Sequence, residues 1–391
     1  MTMPLDGIRV LELGTMIAVP AATQVLAGYG ADVLKVEDVA TGDQLRLFGS
    51  SKNGMSAWFA NANHGKRSLA VDLKSADGQG ILWRLIDDAD VFVEGFRDGV
   101  VDALGFGHTA VSARKPDIVY CSSSGFGKTG PYAGQPVYDP LIQAVAGWAG
   151  VQDPEGEPGF IKNMIADKVA ASANAQAITA ALIRRFRTGE GAHIENSMLE
   201  SNLQFIWSDG MMHCSLLDDD ANHLPNLLAS YRVYPCADGH VGIATGTDQQ
   251  WRLFCEALDR SDLLHDDRLE TAATRTRHLP LLFDAIETTT LRYPRDELLQ
   301  RLRDAGVPVA PVNWPQEVVR DPQVVATGAV EVHHHPAAGR LLRPRAPAER
   351  MGEAVDLGPA PMHGEHTDSV LEDLGFDIGE VARLREAGVV R

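Results

Sequence analysis

The residue that invites a chemical question is Asp167. It stands at the head of "IADKVAASANAQAITAAL", Ile165 to Leu182, a stretch that reads as a helix of small side chains. The helix has clear borders. Asp167 is placed as its N-cap or in its first turn, Arg184, Arg185 and Arg187 suit the negative end of the dipole, and Thr188-Gly189 stops it. The ordinary role for such an acid is to cap the helix. The sharper role uses Ala170, Ala171, Ser172, Ala173, Ala175 and Ala177, which fill no core alone and let a backbone or a ligand approach the helix start. With the reference aspartate pKa of ~3.9 this carboxyl is ionised at neutral pH. A carboxylate is a weak nucleophile, but it suffices against an activated acyl group such as a thioester. The N–H groups of a helix N-terminus are able to receive the oxyanion formed on attack. The expected chemistry is acyl transfer through an anhydride.

Other constellations fail on physical grounds. "GFGKTG" (Gly125 to Gly130) fits G-x-G-x-x-G, but Pro131, Gly134 and Pro136 follow where a helix must begin to meet a pyrophosphate. The phosphate-loop reading of "GKT" fails because Ser122 stands where its first Gly is required. "HHH" (His333 to His335) beside Pro336 is read as a solvated loop, since adjacent residues of an extended chain point to opposite sides and cannot converge on one metal. No metal site is expected. Cys121, Cys214, Cys236 and Cys255 form no CxxC pair and read as packed thiols of a reducing compartment.

The elements that must position Asp167 are read from apolar patterning. "GIRVLEL" (Gly7 to Leu13), "ADVLKVE" (Ala31 to Glu37), "RSLAVDL" (Arg67 to Leu73), "DVFVEGF" (Asp90 to Phe96) and "DIVYCSSSG" (Asp117 to Gly125) are strands. Helices over Pro20 to Tyr29 and Ser75 to Asp88 alternate with them, which predicts α/β architecture with a mainly parallel sheet. "YRVYPCADGHVGIAT" breaks the rhythm as a hairpin turning at Asp238-Gly239, and helices follow over Asp248 to Leu258, Leu279 to Leu291 and Arg295 to Ala305. The expected division is a large α/β domain over residues 1–224, a small α+β domain over 225–325, and a linker with a C-terminal segment over 326–391. Val330 to Pro361, rich in Pro, Gly and Arg, reads as a long connection. A further helix starts at "EHTDSVLEDLGF", capped by Thr367 or Asp368.

The chain has 391 residues and a net charge of −18. That charge argues against nucleic acid as a partner, though a small polyanion needs only a local cluster of donors. No long apolar run predicts a membrane span, and the N-terminus lacks the apolar core of a signal peptide. A cytoplasmic location is the default expectation.

Taken together, "PLDGIRVLELGT" (Pro4 to Thr15), "GADVLKVE" (Gly30 to Glu37), "GKRSLAVDLK" (Gly65 to Lys74), "ADVFVEGFRDG" (Ala89 to Gly99), "SSSGFGKTGPY" (Ser122 to Tyr132), "VYDPLIQAVAG" (Val137 to Gly147), "SMLES" (Ser197 to Ser201) and "GEHTDSVLEDLGF" (Gly364 to Phe376) resemble the class III CoA-transferase family nearly end to end. That family includes formyl-CoA and carnitine CoA-transferases and the α-methylacyl-CoA racemases. The resemblance implies a Rossmann-like large domain, a small domain, and an interlocked homodimer in which each chain forms a ring threaded by the other. It implies a CoA thioester as substrate rather than a tightly bound cofactor, with an acyl-CoA donor and a carboxylic acid acceptor as partners. Asp167 falls at the family's catalytic aspartate. The family's CoA contacts map to Ile17 and Ala18; to Val71, Asp72, Leu73 and Lys74; to Gly95, Phe96 and Arg97; and to Val137, Tyr138 and Asp139. Lys74 and Arg97 suit the phosphates of CoA.

The formyl-CoA transferase pattern has Gln at Ile17, Arg at Asp38 and Asn at Gly95. Its glycine-rich loop has no clear counterpart, "ATGTDQQW" (Ala244 to Trp251) lying nearest. These departures point away from formyl and oxalyl substrates. The racemase branch needs two bases to move an α-proton. It uses a His where this chain has Tyr138, and a phenol with a reference pKa of ~10 is a poor base at neutral pH. A non-catalytic acyl-CoA binding protein is a third reading, disfavoured by the presence of Asp167.

Overall fold

A computed structural model describes residues 3–152, 156–222, 227–346 and 357–391. They fall into two compact units, Met1–Ser215 with Val330–Arg391, and Leu216–Ala329.

The first unit is built on six strands: β1 (Arg9–Leu13), β2 (Asp32–Asp38), β3 (Lys66–Val71), β4 (Val91–Glu94), β5 (Val119–Ser124) and β6 (Ala192–Ser197). Every pairing among them is parallel, and their order is β3-β2-β1-β4-β5-β6. This is the doubly wound Rossmann order, which reverses direction between β1 and β4. The strands read as near-continuous apolar runs because both faces are covered. Val10, Val33, Val91 and Val93 face one layer; Leu11, Leu34 and Phe92 face the other. The first layer holds helix α1 (Ala18–Gly28) and the long helix Ile165–Thr188, whose first turn carries Asp167. The second holds helix Ala76–Asp88 and the C-terminal helices Thr367–Asp373 and Ile378–Glu386. The chain end is stitched to β3: His366 N–H reaches the Ser68 carbonyl at 2.9 Å, and Asp72 N–H reaches the Val389 carbonyl at 2.8 Å.

Three local expectations are corrected. Val330 to Pro361 is not a bare connection, since Val330–His335 and Gly339–Pro344 pair as an antiparallel hairpin; residues 347–356 of that stretch lie outside the described residues. The histidine run is therefore strand. His335 is buried, its Nδ1 accepting the Ala337 and Ala338 N–H groups and its Nε2 meeting the Ala360 carbonyl. The helix after Glu365 starts at Thr367 with His366 at its N-cap and no side-chain cap, because Thr367 turns inward to accept the Ala70 N–H.

In the second unit a three-stranded antiparallel sheet contains the hairpin of Val233–Cys236 with Gly239–Ile243, joined by Val309–Pro311. Helices Asp248–Ala257, Leu279–Thr290 and Arg295–Asp304 pack on it around Trp251, Phe254, Ile286 and Leu302.

Candidate active site

In an open parallel sheet, ligands collect outside the carboxyl ends of the strands, where the strand order reverses. Here a cleft of about 330 Å³ lies at that place. The turn after β1 gives it Thr15 and Met16, α1 gives Ala18 and Val19, and the segment after β4 gives Gly95, Phe96, Arg97 and Asp98. Gly95 is dictated by packing. A Cβ there would stand 2.8 Å from Val19 Cγ2, and one at Gly14 would stand 2.5 Å from Val19 Cβ, so Val19 is wedged between two glycines. A side chain at position 95 would force Val19 to shift.

Asp167 enters the cleft from the third position of helix α2 (Ile165–Thr188). Two of the small residues behind it, Ala171 and Ala175, let a neighbouring helix come close, as expected of side chains that fill no core alone. Ala171, Ala175, Ile178 and Leu182 share one helical face and are buried with Ala22 and Leu26 of α1. Small side chains permit the two helices to approach closely and bring the head of α2 to the end of the sheet.

The capping reading of Asp167 is corrected, because no side chain caps α2 from within. Its first-turn donor is satisfied from outside: the Asp167 N–H donates to Asp139 Oδ2 at 2.9 Å. That donor is unavailable to an oxyanion. Asp139 opens helix α3 (Asp139–Val145), and the Gln143 amide, one turn on, donates to Asp139 Oδ1 at 2.6 Å. Gln143 also receives the Ile161 N–H and donates to the Asn163 carbonyl, so it ties α3 to the segment entering α2. Asn202 holds the same turn through the Ala166 carbonyl at 3.0 Å.

This setting overturns the expectation of an ordinary ionised aspartate. Asp167 is 8% exposed, and among the described residues its carboxyl receives no hydrogen bond. Burial first, and the Asp139 carboxylate second, push its pKa up to about 7. A carboxyl held there is a stronger base, and a better nucleophile when deprotonated, than an exposed one.

The cleft gathers Ala18, Gly95, Phe96, Arg97, Val137, Tyr138, Asp139 and Asp167 from the residues singled out in the sequence. The other five lie elsewhere. Ile17 is buried with Leu45 and Phe59, and Val71 is buried at the end of β3, where it bridges to Val390. Asp72 accepts the Lys74 N–H, and Leu73 packs on the core beneath. Lys74 is exposed; at Asp38 burial raises the carboxyl's pKa, and the hydrogen bonds from Thr41 and Ala40, with Lys74 adding least, bring it below the ordinary value. Residues not foreseen complete the walls: Met16, Gln44, Ser123, Phe126, Met164 and Met198. Gln143 was findable, four residues after Asp139 on one helix face; Met164 and Met198 carried no signal apart from their neighbours.

The sequence matches the family model of CoA-transferase family III over residues 5–367. The chain belongs to CoA-transferase family III. It is 34% identical to the succinate–glutarate CoA-transferase of Agrobacterium fabrum, over 95% of this chain and 96% of that protein. It is 30% identical to the human succinyl-CoA:glutarate CoA-transferase, over 99% of this chain and 90% of that one. Among solved structures, a CAIB/BAIF family protein from Brucella suis superimposes with a TM-score of 0.84 at 32% identity, covering 96% of this chain and 100% of that one. As a family III transferase, the chain takes CoA thioesters as substrates. Among the described residues no helix is long and apolar enough to cross a membrane, and no three His, Cys, Asp or Glu side chains converge as metal ligands.

Proposed function

We propose that this transferase moves CoA from an acyl-CoA donor to a carboxylic acid through covalent intermediates on Asp167. The observation that carries the reading is a buried carboxyl, free of hydrogen-bond donors and poised near neutrality, at the switch-point cleft of a Rossmann-ordered sheet.

An Asp167 carboxylate oxygen attacks the thioester carbon, the C–S bond breaks, and a mixed anhydride and CoA thiolate result. The thiolate attacks the aspartyl carbonyl of the anhydride, releasing the donor acid and leaving an aspartyl-CoA thioester. The acceptor carboxylate then attacks that thioester, giving a second anhydride and the thiolate again. Attack of the thiolate on the acceptor acyl carbon yields the new acyl-CoA and frees Asp167. No net proton is taken up, so the site needs a carboxylate and a dry cleft rather than an acid–base pair. Arg97, the cation lining the cleft among the described residues, suits an anionic part of the substrate. Phe96 and Tyr138 offer apolar surface beside it, and Lys74 suits a phosphate farther along the strand ends. Two copies of the chain form the working enzyme in this reading, as the resemblance implies.

The relatives' names put succinyl-CoA and glutarate first in an assay. The test is CoA transfer from a panel of acyl-CoAs to short carboxylic acids by wild type and by Asp167→Asn. Transfer that disappears in the variant supports the reading. Equal transfer by both overturns it.

A further inference from the structure

The turn joining β1 to α1 holds a backbone conformation that its residue does not favour. Met16 has φ of +64°, in the left-handed region, and it is not a glycine. Such residues are strained and persist only where their surroundings over-determine them. The surroundings here are a fully buried ion pair. Lys35 Nζ donates to the Gly14 carbonyl at 2.7 Å, at the front of the turn. Asp43 Oδ1 accepts the Met16 N–H at 3.1 Å, at its back. Lys35 Nζ and Asp43 Oδ2 meet each other at 2.9 Å with neither side chain exposed. The pair is braced in turn: Glu12 takes Lys35 at 2.7 Å, and the Asp43 N–H donates to Glu37 at 3.0 Å.

We propose that Asp43, braced by Lys35, is a positioning clamp whose hold on the Met16 N–H keeps the Gly14–Met16 turn in the one shape that lines the cleft shared with Asp167. The chain of contacts is short. Gly14 packs on Val19, Val19 packs on Gly95, and Gly95 leads directly to Arg97. A turn that relaxes moves Met16 in the wall, and through Val19 it moves the strand end that carries Arg97. The inference rests on the reading of this cleft as the site of CoA transfer.

The test is a double-mutant cycle, because glycine adopts the left-handed conformation without strain. Asp43→Ala removes the acceptor for Met16 and is expected to lower kcat/KM for succinyl-CoA by about ten- to a hundredfold. Asp43→Asn keeps an oxygen for the Met16 N–H but gives up the charge and sets its NH2 against Lys35, so it melts earlier while staying within about fivefold of wild type. In a Met16→Gly background, Asp43→Ala costs less than about fivefold beyond Met16→Gly alone. Equal losses in both backgrounds, or Asp43→Asn as damaged as Asp43→Ala, overturn the clamp. Hydrogen exchange at the Met16 amide gives a second readout that needs no turnover and applies to Asp43→Asn if Asp43→Ala does not fold. Protection in wild type and Asp43→Asn, with loss in Asp43→Ala, is the expected pattern; an unprotected Met16 in Asp43→Asn overturns the clamp. If wild type moves CoA from no donor, the transferase reading fails by itself, and the exchange pattern still decides the clamp.

Discussion

Two groups of buried acids sit at the same end of one sheet and are tuned in opposite directions. Around β1 and β2, Glu12 meets Lys35 and Lys66 at 2.7 Å each, and Glu37 meets Arg46 at 2.7 Å. At the head of α2, Asp167 meets no cation among the described residues, and its charged neighbour is another carboxylate, Asp139. Burial raises the pKa of every one of these acids. Against it, Glu12 is pulled below the ordinary range by its lysines, and Glu37 is brought down to about 2 by Arg46, Lys35 and Ser68. Asp167 goes up to about 7. Depth does not separate a structural acid from a reactive one. The partner does.

The strongest way to break the comparison is to remove its reactive member. Asp167→Asn is expected to abolish transfer and to stabilise the protein. The folded state holds the Asp167 proton up to about pH 7, whereas the unfolded chain releases it near the ordinary aspartate value of 3.8. Wild type therefore loses stability as pH rises from about 4 to 7, by up to about 4 kcal/mol as an order of magnitude. Melting curves should coincide near pH 4, diverge in favour of the variant as pH rises to about 7, and stay apart above it. Convergence at all pH values would show that Asp167 is not held protonated.

The opposite move breaks the cation-paired group. Lys35→Met leaves Asp43 buried without its cation and is expected to cost about 3–5 kcal/mol in chemical denaturation. A loss under about 1 kcal/mol would mean that the cluster contributes little net stability.

A pH series on wild type sharpens the contrast without mutation. Glu37 contributes stability that is complete above about pH 4.5 and is lost as pH falls toward 2, on the order of 3 kcal/mol. Arg46→Ala should flatten that acid limb and leave the neutral limb from Asp167 unchanged.

The smallest effect comes from making Asp167's partner neutral. Asp139→Asn retains an oxygen to accept the Asp167 N–H. It should move the ascending limb of the pH–rate profile to lower pH while leaving it above the ordinary carboxylate range, because burial is the larger cause of the shift. An unmoved limb would remove Asp139 from the account.

Much of this was legible in the sequence, and the boundary falls along sequence separation. Five of the six strands announced themselves because parallel strands are apolar on both sides, whereas the polar edge strand β6 did not; α2 was legible from its run of small residues and the Gly189 stop. What pairs acids with their partners spans long loops. Asp139 is 28 positions from Asp167, and Asp43 is 27 from Met16. No local pattern reports such contacts, so Asp167 was found but its ionisation was misjudged, and the clamp went unseen. The hairpin at Val330–Pro344 was hidden for a different reason. Its Pro, Gly and Arg content outweighs the weak alternation of Val330, Val332 and the histidines.

The most direct test of the central claim is to trap the intermediate. Wild type is incubated with succinyl-CoA, quenched with hydroxylamine and digested, and the peptide carrying Asp167 is weighed. The expected result is a hydroxamate on Asp167 that requires the donor and builds up more slowly below pH 7. Turnover of succinyl-CoA to a new acyl-CoA with Asp167 unlabelled, or with the label on another carboxylate, would contradict it.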